Sequence, residues 1–284
     1  MIRALDHVVI AVRDLGAAVA AYETLLGRAP SWRAEAHGGG AEIAAFGLAN
    51  MAVELMAPSG DGPMAARLRA VLDARGEGLA SLAFAVDDIE RAHRRLARLV
   101  LDPEPVVAAE SVDRGSGARR AWRRTRASTT ATRGVRVFLM EQGALPPSPV
   151  MAAEAAAVTG LDHVVIRTPD PERAAALYGA RLGLDMALDR SHPEWGRLMF
   201  FRCGDLIVEV AHRPGKEATS GPDKLHGISW RVADVDATRA RLMAGGLDVS
   251  EVRTGRRPGT RVMTVKSGTS GVPTLLIEKS AKPE

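Results

Sequence analysis

One six-residue segment occurs twice in this chain and constrains its fold more than any other feature. Residues 5–10 and residues 161–166 both read LDHVVI. Weaker copies of the same apolar pattern begin near residues 79 and 225. Because each copy of a long repeat must form the same structural unit, repeats take precedence over local signals in predicting a fold. The sequence therefore predicts four related units.

Each of the four units shows strand and helix signals in one order. An alternating apolar strand leads to an aspartate that is suited to cap a helix, because its side chain accepts hydrogen bonds from the first backbone N–H groups. Apolar residues at helical spacing follow, and then about three strand-like segments. The pattern predicts an α+β fold. The capping aspartates are Asp14, Asp88, Asp170 and Asp234.

The four units pair into two domains. The segment 142–160 is rich in Ala, Pro and Gly, a composition typical of linkers. A further helix is predicted within residues 59–78, with Pro63 near its start. The predicted bounds are 1–145 for the N-terminal domain (modules 4–58 and 79–142), 146–159 for the linker and 160–284 for the C-terminal domain (modules 160–213 and 225–280).

Composition places the chain among ordinary globular proteins. Hydrophobic residues make up 46% of the chain and charged residues 25%. No apolar run approaches the roughly 18 residues that a membrane-spanning helix requires, and the start lacks the apolar core of a signal peptide. The single cysteine, Cys203, excludes an internal disulfide framework. We therefore expect a cytoplasmic protein with no membrane partner.

An arginine-rich stretch lies between residues 114 and 136. Nucleic-acid binding would need a basic stripe with interleaved aromatic residues, and the net charge of the whole chain is only +4. We therefore expect no nucleic-acid partner. Two interpretations stay open for this stretch, a solvated hairpin and an anion-binding rim. It contains Trp122 and Arg114, Arg119, Arg120, Arg123, Arg124, Arg126, Arg133 and Arg136.

Histidine and glutamate occupy equivalent positions in the two halves. The third residue of the opening strand is His7 in the first half and His163 in the second. Taken singly, a histidine or glutamate on such a strand is more often structural. An imidazole and two carboxylates in one concave space would instead bind a divalent cation. The sequence predicts two such sites, formed by His7, Glu54 and Glu141 and by His163, Glu209 and Glu278.

The four-unit pattern, with LDHVVI, AVDDI, VEL and LLIE, resembles the vicinal oxygen chelate superfamily. That superfamily includes glyoxalase I, methylmalonyl-CoA epimerase, type I extradiol dioxygenases, and the fosfomycin and bleomycin resistance proteins. The resemblance runs from residue 4 to about residue 280. It implies four βαβββ modules paired into two glyoxalase-like half-barrel domains. It also implies metal ligands on the first and last strands of each module, for Fe, Mn, Zn, Ni or Co, or no metal in resistance-type relatives.

The chain departs from the superfamily pattern at the usual fourth ligand. That position holds Ser81 in the first half and Gly227 in the second. His226 is one residue away from Gly227, and neighbouring residues on a strand point to opposite faces. His226 would therefore join the site only if a bulge turned it inward.

Three functions stay open at the level of the sequence. The first is a metal-dependent lyase or isomerase, like glyoxalase or epimerase, that forms an enediolate, with Glu209 or Glu278 as the base and His163 holding the ion. The second is a metal-free, resistance-type binding protein. The third is an extradiol-type dioxygenase, which needs two histidines and one carboxylate on Fe(II). The first is favoured, because only His163 and Glu278 match the dioxygenase set securely.

Two loops near the second site are rich in arginine. The planar guanidinium group matches the geometry of carboxylate and phosphate oxygens. We therefore expect these loops to contact an anionic small-molecule substrate. A protein with two such domains would be a monomer or a homodimer. The predicted substrate-binding residues are Arg190, His192, Trp195, Arg197, Arg257 and Arg261.

Overall fold

Four βαβββ modules follow one another along the chain, which confirms the predicted α+β fold. The computed structural model describes residues 1–143, 149–213, 215 and 221–279. Residues 144–145 of the predicted N-terminal domain and 146–148 of the predicted linker lie outside the described residues, as do 214, 216–220 and 280–284 of the predicted C-terminal domain. Throughout the described ranges, no helix combines the length and the apolar composition that a bilayer crossing requires.

The first two modules form one eight-stranded sheet, the first sheet, in the order β2-β3-β4-β1-β5-β8-β7-β6. The predicted helix between the modules is present as α2. The elements are β1 (Ile2–Ala11), α1 (Leu15–Leu26), β2 (Trp32–Glu35), β3 (Ala41–Gly47), β4 (Ala52–Pro58), α2 (Pro63–Arg75), β5 (Gly78–Val86), α3 (Ile89–Arg98), β6 (Val107–Val112), β7 (Arg119–Arg126) and β8 (Val137–Gln142).

The last two modules form the second sheet in the equivalent order, β10-β11-β12-β9-β13-β16-β15-β14. Helix α4, the first helix of this half, continues into a π-helical segment, Ala176–Arg181. The elements are β9 (Val158–Arg167), α4 (Pro171–Ala175), β10 (Asp185–His192), β11 (Gly196–Cys203), β12 (Leu206–His212), β13 (Lys224–Val232), α5 (Val235–Ala244), β14 (Arg253–Thr254), β15 (Thr260–Val265) and β16 (Thr274–Lys279).

The predicted aspartates cap four helices. Asp14 accepts a hydrogen bond from the backbone N–H of Ala17 at 2.9 Å, at the start of α1. Asp88, Asp170 and Asp234 accept the equivalent hydrogen bonds at the starts of α3, α4 and α5. Each cap satisfies a backbone donor that a helix leaves free at its first turn. This local chemistry fixes where each opening strand ends and its helix begins.

One apolar core lies on the helix-covered faces of both sheets. Val8 and Ile10 from the first sheet and Val164 and Ile166 from the second are all 0% exposed and belong to it. Because side chains alternate across a strand, the residues between these point to the opposite side. We call the helix-covered side the helix face and the opposite side the inner face. The predicted sites require an inner-face position.

The inner face of the first sheet is nearly enclosed, because its two edge strands meet. The Trp32 indole N–H on β2 donates to the Ser111 hydroxyl on β6 at 2.9 Å. The Arg120 guanidinium on β7 lies 3.9 Å from the Trp32 ring centroid. In the second sheet the contact is between hairpin tips, with the Arg256 guanidinium 5.5 Å from the Trp195 ring centroid. The two domains therefore share a topology but differ in closure.

Two arginines of the second domain hold helix ends of the first. Arg241 on α5 donates to the carbonyl of Leu25 at 3.0 Å and to that of Thr24 at 2.5 Å. Arg181 donates twice to the carbonyl of Leu99, at 2.9 and 2.7 Å. These carbonyls close α1 and α3, where positive charge is favourable and backbone acceptors are free. The domains are thus joined by charged hydrogen bonds as well as by the core.

We expect Arg241→Ala to lower the free energy of unfolding by about 2 kcal/mol, since it removes hydrogen bonds from a charged donor at a largely buried position. Arg3 offers a matched control, because its side chain is 62% exposed and its nearest carboxylate, that of Asp87, is 3.7 Å away. Arg3→Ala should change stability by less than about 0.5 kcal/mol. Urea unfolding measures both, and equal losses would contradict the interdomain role of Arg241.

Candidate functional site

A β-bulge in the first strand places two successive side chains on the inner face of the first sheet. Between β1 and β5, Leu5 lies opposite Phe84 and His7 lies opposite Ala83, so Asp6 is the extra residue. A bulge of this kind turns a side chain away from its normal alternation. Asp6 and His7 consequently contact one another instead of pointing to opposite faces.

The same bulge recurs at the equivalent place in the second sheet. Between β9 and β13, Leu161 lies opposite Trp230 and His163 lies opposite Ser229, so Asp162 is the extra residue. The repeated LDHVVI sequence therefore encodes a repeated irregularity as well as a repeated strand. It delivers a paired aspartate and histidine to each inner face.

In the first sheet, His7 is held by its neighbour. Its Nδ1 atom lies 2.7 Å from Asp6 Oδ1, and Gln142 donates to Asp6 Oδ2 at 2.6 Å. Glu54 lies on β4, paired with Val9 of β1. Burial alone would lower the pKa of His7, but the hydrogen bond to Asp6 and the negative charge of Glu54 outweigh it and raise the pKa.

In the second sheet, three polar groups surround His163. Its Nδ1 lies 3.0 Å from Asp162 Oδ1, and its Nε2 lies 2.7 Å from Ser229 Oγ. The same Nε2 is 3.5 Å from Glu209 Oε2. The Glu209 carboxylate and the Ser229 hydroxyl therefore lie close to the same ring nitrogen of His163.

Two cations stabilise the ionised form of Asp162. Lys279 forms an ion pair with Asp162, and Arg231 Nε lies 3.5 Å from Asp162 Oδ2. Burial alone would raise the pKa of Asp162, but the hydrogen bonds to His163 and Lys279 hold it well below its usual value. The carboxylate accepts only, so Nδ1 of His163 carries the proton when the ring is neutral. The Nε2 lone pair then accepts from the Ser229 hydroxyl.

The structure separates Glu141 and Glu278 from the inner-face histidines. Glu141 accepts from the backbone N–H of Ile89 at 2.7 Å, at the start of α3. Glu278 accepts from the backbone N–H of Val235 at 2.8 Å, at the start of α5. Both carboxylates are thus on the helix face, where they stabilise helix N-termini. The expectation that either joins a histidine in one site is wrong.

The places equivalent to Glu54 and Glu209 are apolar in the even-numbered modules. Glu209 on β12 pairs with Val165 on β9, two residues after His163. In the partner module, Leu275 on β16 pairs with Ser229, two residues after Gly227. In the first sheet, Phe138 pairs with Ala83 in the same way. Each inner face therefore receives one glutamate where the repeat analysis expected two.

The donor set tests whether the residues fit a resident divalent ion. A catalytic site of this kind normally provides three protein ligands. The first sheet offers His7 and Glu54, and the second offers His163 and Glu209. Among the described residues, no group of three His, Cys, Asp or Glu side chains is placed to hold a metal ion. The residues present do not fit a three-ligand metal site.

His226 was expected to reach the inner face only if a bulge turned it inward, and β13 has a bulge at this residue. Leu225 lies opposite Ile166 and Gly227 lies opposite Val165, so His226 is the extra residue. Its surroundings are cationic and not metal-binding. Burial first, and then the charges of Arg167 and Arg213, lower the pKa of His226 to about 4. The ring is therefore neutral at physiological pH.

Three of the predicted substrate-binding residues cluster at the tip of the β10–β11 hairpin. The rings of His192 and Trp195 stack at 4.3 Å, and the Arg190 guanidinium lies 5.6 Å from the Trp195 ring centroid. Arg256, which is not among the predicted substrate-binding residues, contacts the same ring from the β14–β15 turn. This cationic and aromatic group, the rim cluster, consists of Arg190, His192, Trp195 and Arg256.

Two other predicted substrate-binding residues lie elsewhere. Arg197 binds both oxygens of Asp189, at 2.8 and 2.6 Å. Arg261 donates to Asp236 at 2.6 Å, and its Nη1 lies 3.5 Å from Glu278. Each arginine is paired with carboxylates on the helix face, away from the rim cluster, and its contact with a substrate stays a prediction.

Arg257 stays a prediction as a substrate-binding residue. It lies in the β14–β15 turn, where its carbonyl accepts from the Thr260 hydroxyl at 2.6 Å.

Sequence reasoning missed the aspartate of each pair and the serine. Asp6 and Asp162 are as much a part of the repeated LDHVVI segment as the histidines, so the repeat itself carried the signal. Ser229 had no such signal, since its equivalent in the first domain is Ala83. The second site is therefore distinguished by a residue that only the strand register identifies.

Two family models match the chain. Residues 5–160 match a glyoxalase-like domain, and residues 162–264 match the glyoxalase, bleomycin resistance protein and dioxygenase superfamily. The first match alone covers more than half of the chain. The chain belongs to the vicinal oxygen chelate superfamily. This membership agrees with the module pattern and with the two sheets described above.

Individual relatives of this superfamily member vary in activity. The ethylmalonyl-CoA/methylmalonyl-CoA epimerase of Cereibacter sphaeroides is 35% identical over 97 residues, covering 31% of this chain and 72% of the relative. A mutant 4-hydroxymandelate synthase from Streptomyces coelicolor has a TM-score of 0.71 at 15% identity, covering 100% of this chain and 95% of that one. A Mn(II)-bound glyoxalase from Novosphingobium aromaticivorans has a TM-score of 0.65 at 14% identity, covering 99% and 83%. These two structures show a shared fold.

The surroundings of His226 predict a pH effect. Its folded-state pKa of about 4 lies below its ordinary value of 6.5, so the unfolded chain binds the proton more tightly. This residue therefore costs stability progressively as the pH falls from about 6.5 to about 4, and costs none above that window.

We expect Arg167→Ala to raise the pKa of His226 toward its ordinary value, because it removes the strongest neighbouring positive charge. Arg202→Ala, on β11 of the same sheet, should leave it unchanged. A pH titration of the His226 ring protons by NMR measures both. An unchanged His226 midpoint in Arg167→Ala would rule out the electrostatic cause.

Proposed function

We propose that this protein is an isomerase or lyase that moves a proton on a small, anionic, oxygenated molecule, with the inner face of the second sheet as its active site. One observation supports this above others. The Glu209 carboxylate and the Ser229 hydroxyl lie 3.5 and 2.7 Å from the same nitrogen of His163. A base and two groups able to exchange protons thus meet at one place.

In the proposed reaction, Glu209 removes a proton from a carbon next to a carbonyl. The C–H electron pair forms the carbon–carbon double bond of an enolate, or of an enediolate where that carbon carries a hydroxyl, and the carbonyl π electrons move to oxygen. Ser229 or protonated His163 donates to that oxygen. Protonation of the same carbon on the opposite face by protonated His163 gives an epimer. With an enediolate, protonation of the neighbouring carbon by protonated Glu209 gives an isomer, because the second hydroxyl loses its proton and becomes the new carbonyl. General acid–base groups of this kind contribute about 10²–10⁴-fold to rate.

Asp162 acts on this reaction by positioning His163. Its ionised carboxylate holds Nδ1 at 3.0 Å and thereby leaves Nε2 facing Ser229 and Glu209. Lys279 and Arg231 keep that carboxylate charged. A histidine held in this way exchanges a proton through Nε2 alone.

The rim cluster supports an anionic substrate. Arg190 and Arg256 lie on the same indole ring, and a guanidinium presents a planar fork that matches carboxylate and phosphate oxygens. The name of the Cereibacter relative also supports an anionic substrate and a proton-moving reaction, because it names acyl-CoA esters and an epimerisation.

Metal assistance is not part of this proposal. One neighbour is described as Mn(II)-bound, but the second sheet presents two donors, His163 and Glu209, where a resident ion would need about three. The same count disfavours ring-cleaving dioxygenase chemistry, since its Fe(II) site uses two histidines and one carboxylate.

A second function is favoured by the same count. Two donors at each inner face also suit a metal-free protein that binds a small molecule without transforming it, as resistance-type relatives do. Such a protein would use the rim cluster for binding, and Glu209 would add only a polar contact.

Deuterium exchange separates the two functions. With methylmalonyl-CoA as the probe in D2O, the wild-type enzyme should incorporate deuterium next to the carbonyl, as read by mass spectrometry. Glu209→Gln should slow this exchange by about 10²-fold or more, because the amide is not a base. Glu278→Gln is the matched control and should exchange at the wild-type rate, since its carboxylate lies on the helix face.

Each outcome of this experiment has a defined meaning. Equal rates for Glu209→Gln and wild type would contradict Glu209 as the base. Saturable binding of the probe without any exchange would favour the binding protein. Prior dialysis against EDTA should leave the wild-type rate unchanged, and loss of exchange that Mn(II) restores would show that an ion takes part.

A further inference from the structure

The arginine-rich stretch places a row of side chains on the inner face of the first sheet. In the antiparallel pairing of β7 with β8, Trp122 lies opposite Gln142 and Arg124 lies opposite Met140. Directly opposed residues point to the same side. Gln142 contacts Asp6, which marks this side as the inner face. The strand therefore directs Trp122 and Arg124 inward.

The neighbouring residue shows the opposite orientation. Arg123 lies opposite Glu141 and forms an ion pair with Glu90 of α3, on the helix face. The stretch is thus a two-sided strand, with one side bound to a helix and the other turned into a nearly enclosed space. A solvated hairpin does not describe the inner side.

Two guanidinium groups gather around one aromatic ring on the inner face. The Arg124 group lies 5.4 Å from the Phe138 ring centroid, and the Arg136 group lies 5.8 Å from the same centroid. A third arginine, Arg126, is neutralised by an ion pair with Glu104. Arg124 and Arg136 bring two further positive charges to this part of the sheet.

Two buried donors on the inner side of β7 lack partners. Within the described residues, the Nε of Arg124 and the Nε1 of Trp122 are buried and have no hydrogen-bond partner. A buried donor left unpaired costs roughly 1–3 kcal/mol. Burial also lowers the pKa of Arg124 and of Arg136, against the attraction of Glu104. The buried donors on this side of β7 are therefore short of acceptor oxygens.

Helix α2 adds to this environment. Its Leu68 packs on the inner-face cluster that contains Trp32 and Ile43, so the helix covers part of this face. Its Arg67 is close enough to add positive charge at Arg136. A ligand here would be partly shielded from water, which strengthens its electrostatic contacts.

We infer that the inner face of the first sheet is a second ligand site, which binds the carboxylate or phosphate group of a small molecule at Arg124 and Arg136, with the Trp122 indole N–H as a donor farther along the same side of β7. The two guanidinium groups supply charge and paired donors, and the indole N–H supplies a further donor. The Phe138 ring offers an apolar surface to the rest of the ligand. This site is separate from the proposed active site, which lies on the second sheet.

Thermal stability at constant ionic strength tests this site. Inorganic phosphate and malonate are the two probes, with chloride as the reference salt. We expect at least one probe to raise the melting temperature of the wild type. Arg124→Met should abolish that rise or weaken the apparent affinity at least 10-fold. Arg123→Met, on the same strand but the helix face, should keep it.

Comparing the two probes identifies the ligand group. A rise with phosphate alone assigns a phosphate ester, and a rise with malonate alone assigns a carboxylate. No rise with either probe, or equal losses in Arg124→Met and Arg123→Met, would overturn the inference.

A second measurement covers the case in which Arg124→Met does not fold. The indole N–H resonance of Trp122, assigned with Trp122→Phe, should shift during titration of the wild type with the active probe. A stationary resonance at saturating probe would overturn the site. Neither measurement depends on catalysis, so failure of the proposed reaction leaves this test intact.

Discussion

The hydrogen bond between an aspartate and the histidine that follows it organises each domain. A regular strand would send these two side chains to opposite faces. A bulge at Asp6 and at Asp162 instead puts the pair on one face, and the apolar residues on either side still reach the core. The aspartate then fixes the orientation of the imidazole. Everything proposed for the second sheet depends on that orientation, because it leaves Nε2 of His163 facing Glu209 and Ser229.

The two inner faces share an aspartate–histidine pair and one glutamate, and they differ in the residues around that set. The second sheet has Ser229 opposite its histidine, whereas the first has Ala83. The first sheet instead carries inward arginines on β7 and a covering helix, α2. One face therefore concentrates groups that exchange protons, and the other concentrates cations and unpaired donors. We propose a different small-molecule ligand for each face on this one fold.

The repeat predicted the modules, the four helix caps and the partnership of His163 with Glu209. It did not predict which face each residue of the last strands takes. A shift of one residue along a strand reverses the face. Aligning the glutamates with one another conceals that Glu278 lies three residues after Leu275, which occupies the place equivalent to Glu209. Glu278 was therefore expected beside His163, although it caps α5. The sequence could only state that a bulge would be needed to turn His226 inward. It gave no sign that Arg167 and Arg213, on other strands and loops, would be its neighbours.

The state of the His163 ring tests this account most directly. A long-range ¹H–¹⁵N NMR spectrum, recorded where the ring is neutral and assigned with His163→Gln, distinguishes the protonated nitrogen from the other. We predict a proton on Nδ1, held by Asp162, and an Nε2 without a proton that faces Ser229 and Glu209. Asp162→Asn should weaken that preference, because the amide can also donate. A proton on Nε2 in the wild-type protein would contradict the arrangement on which the proposed active site rests.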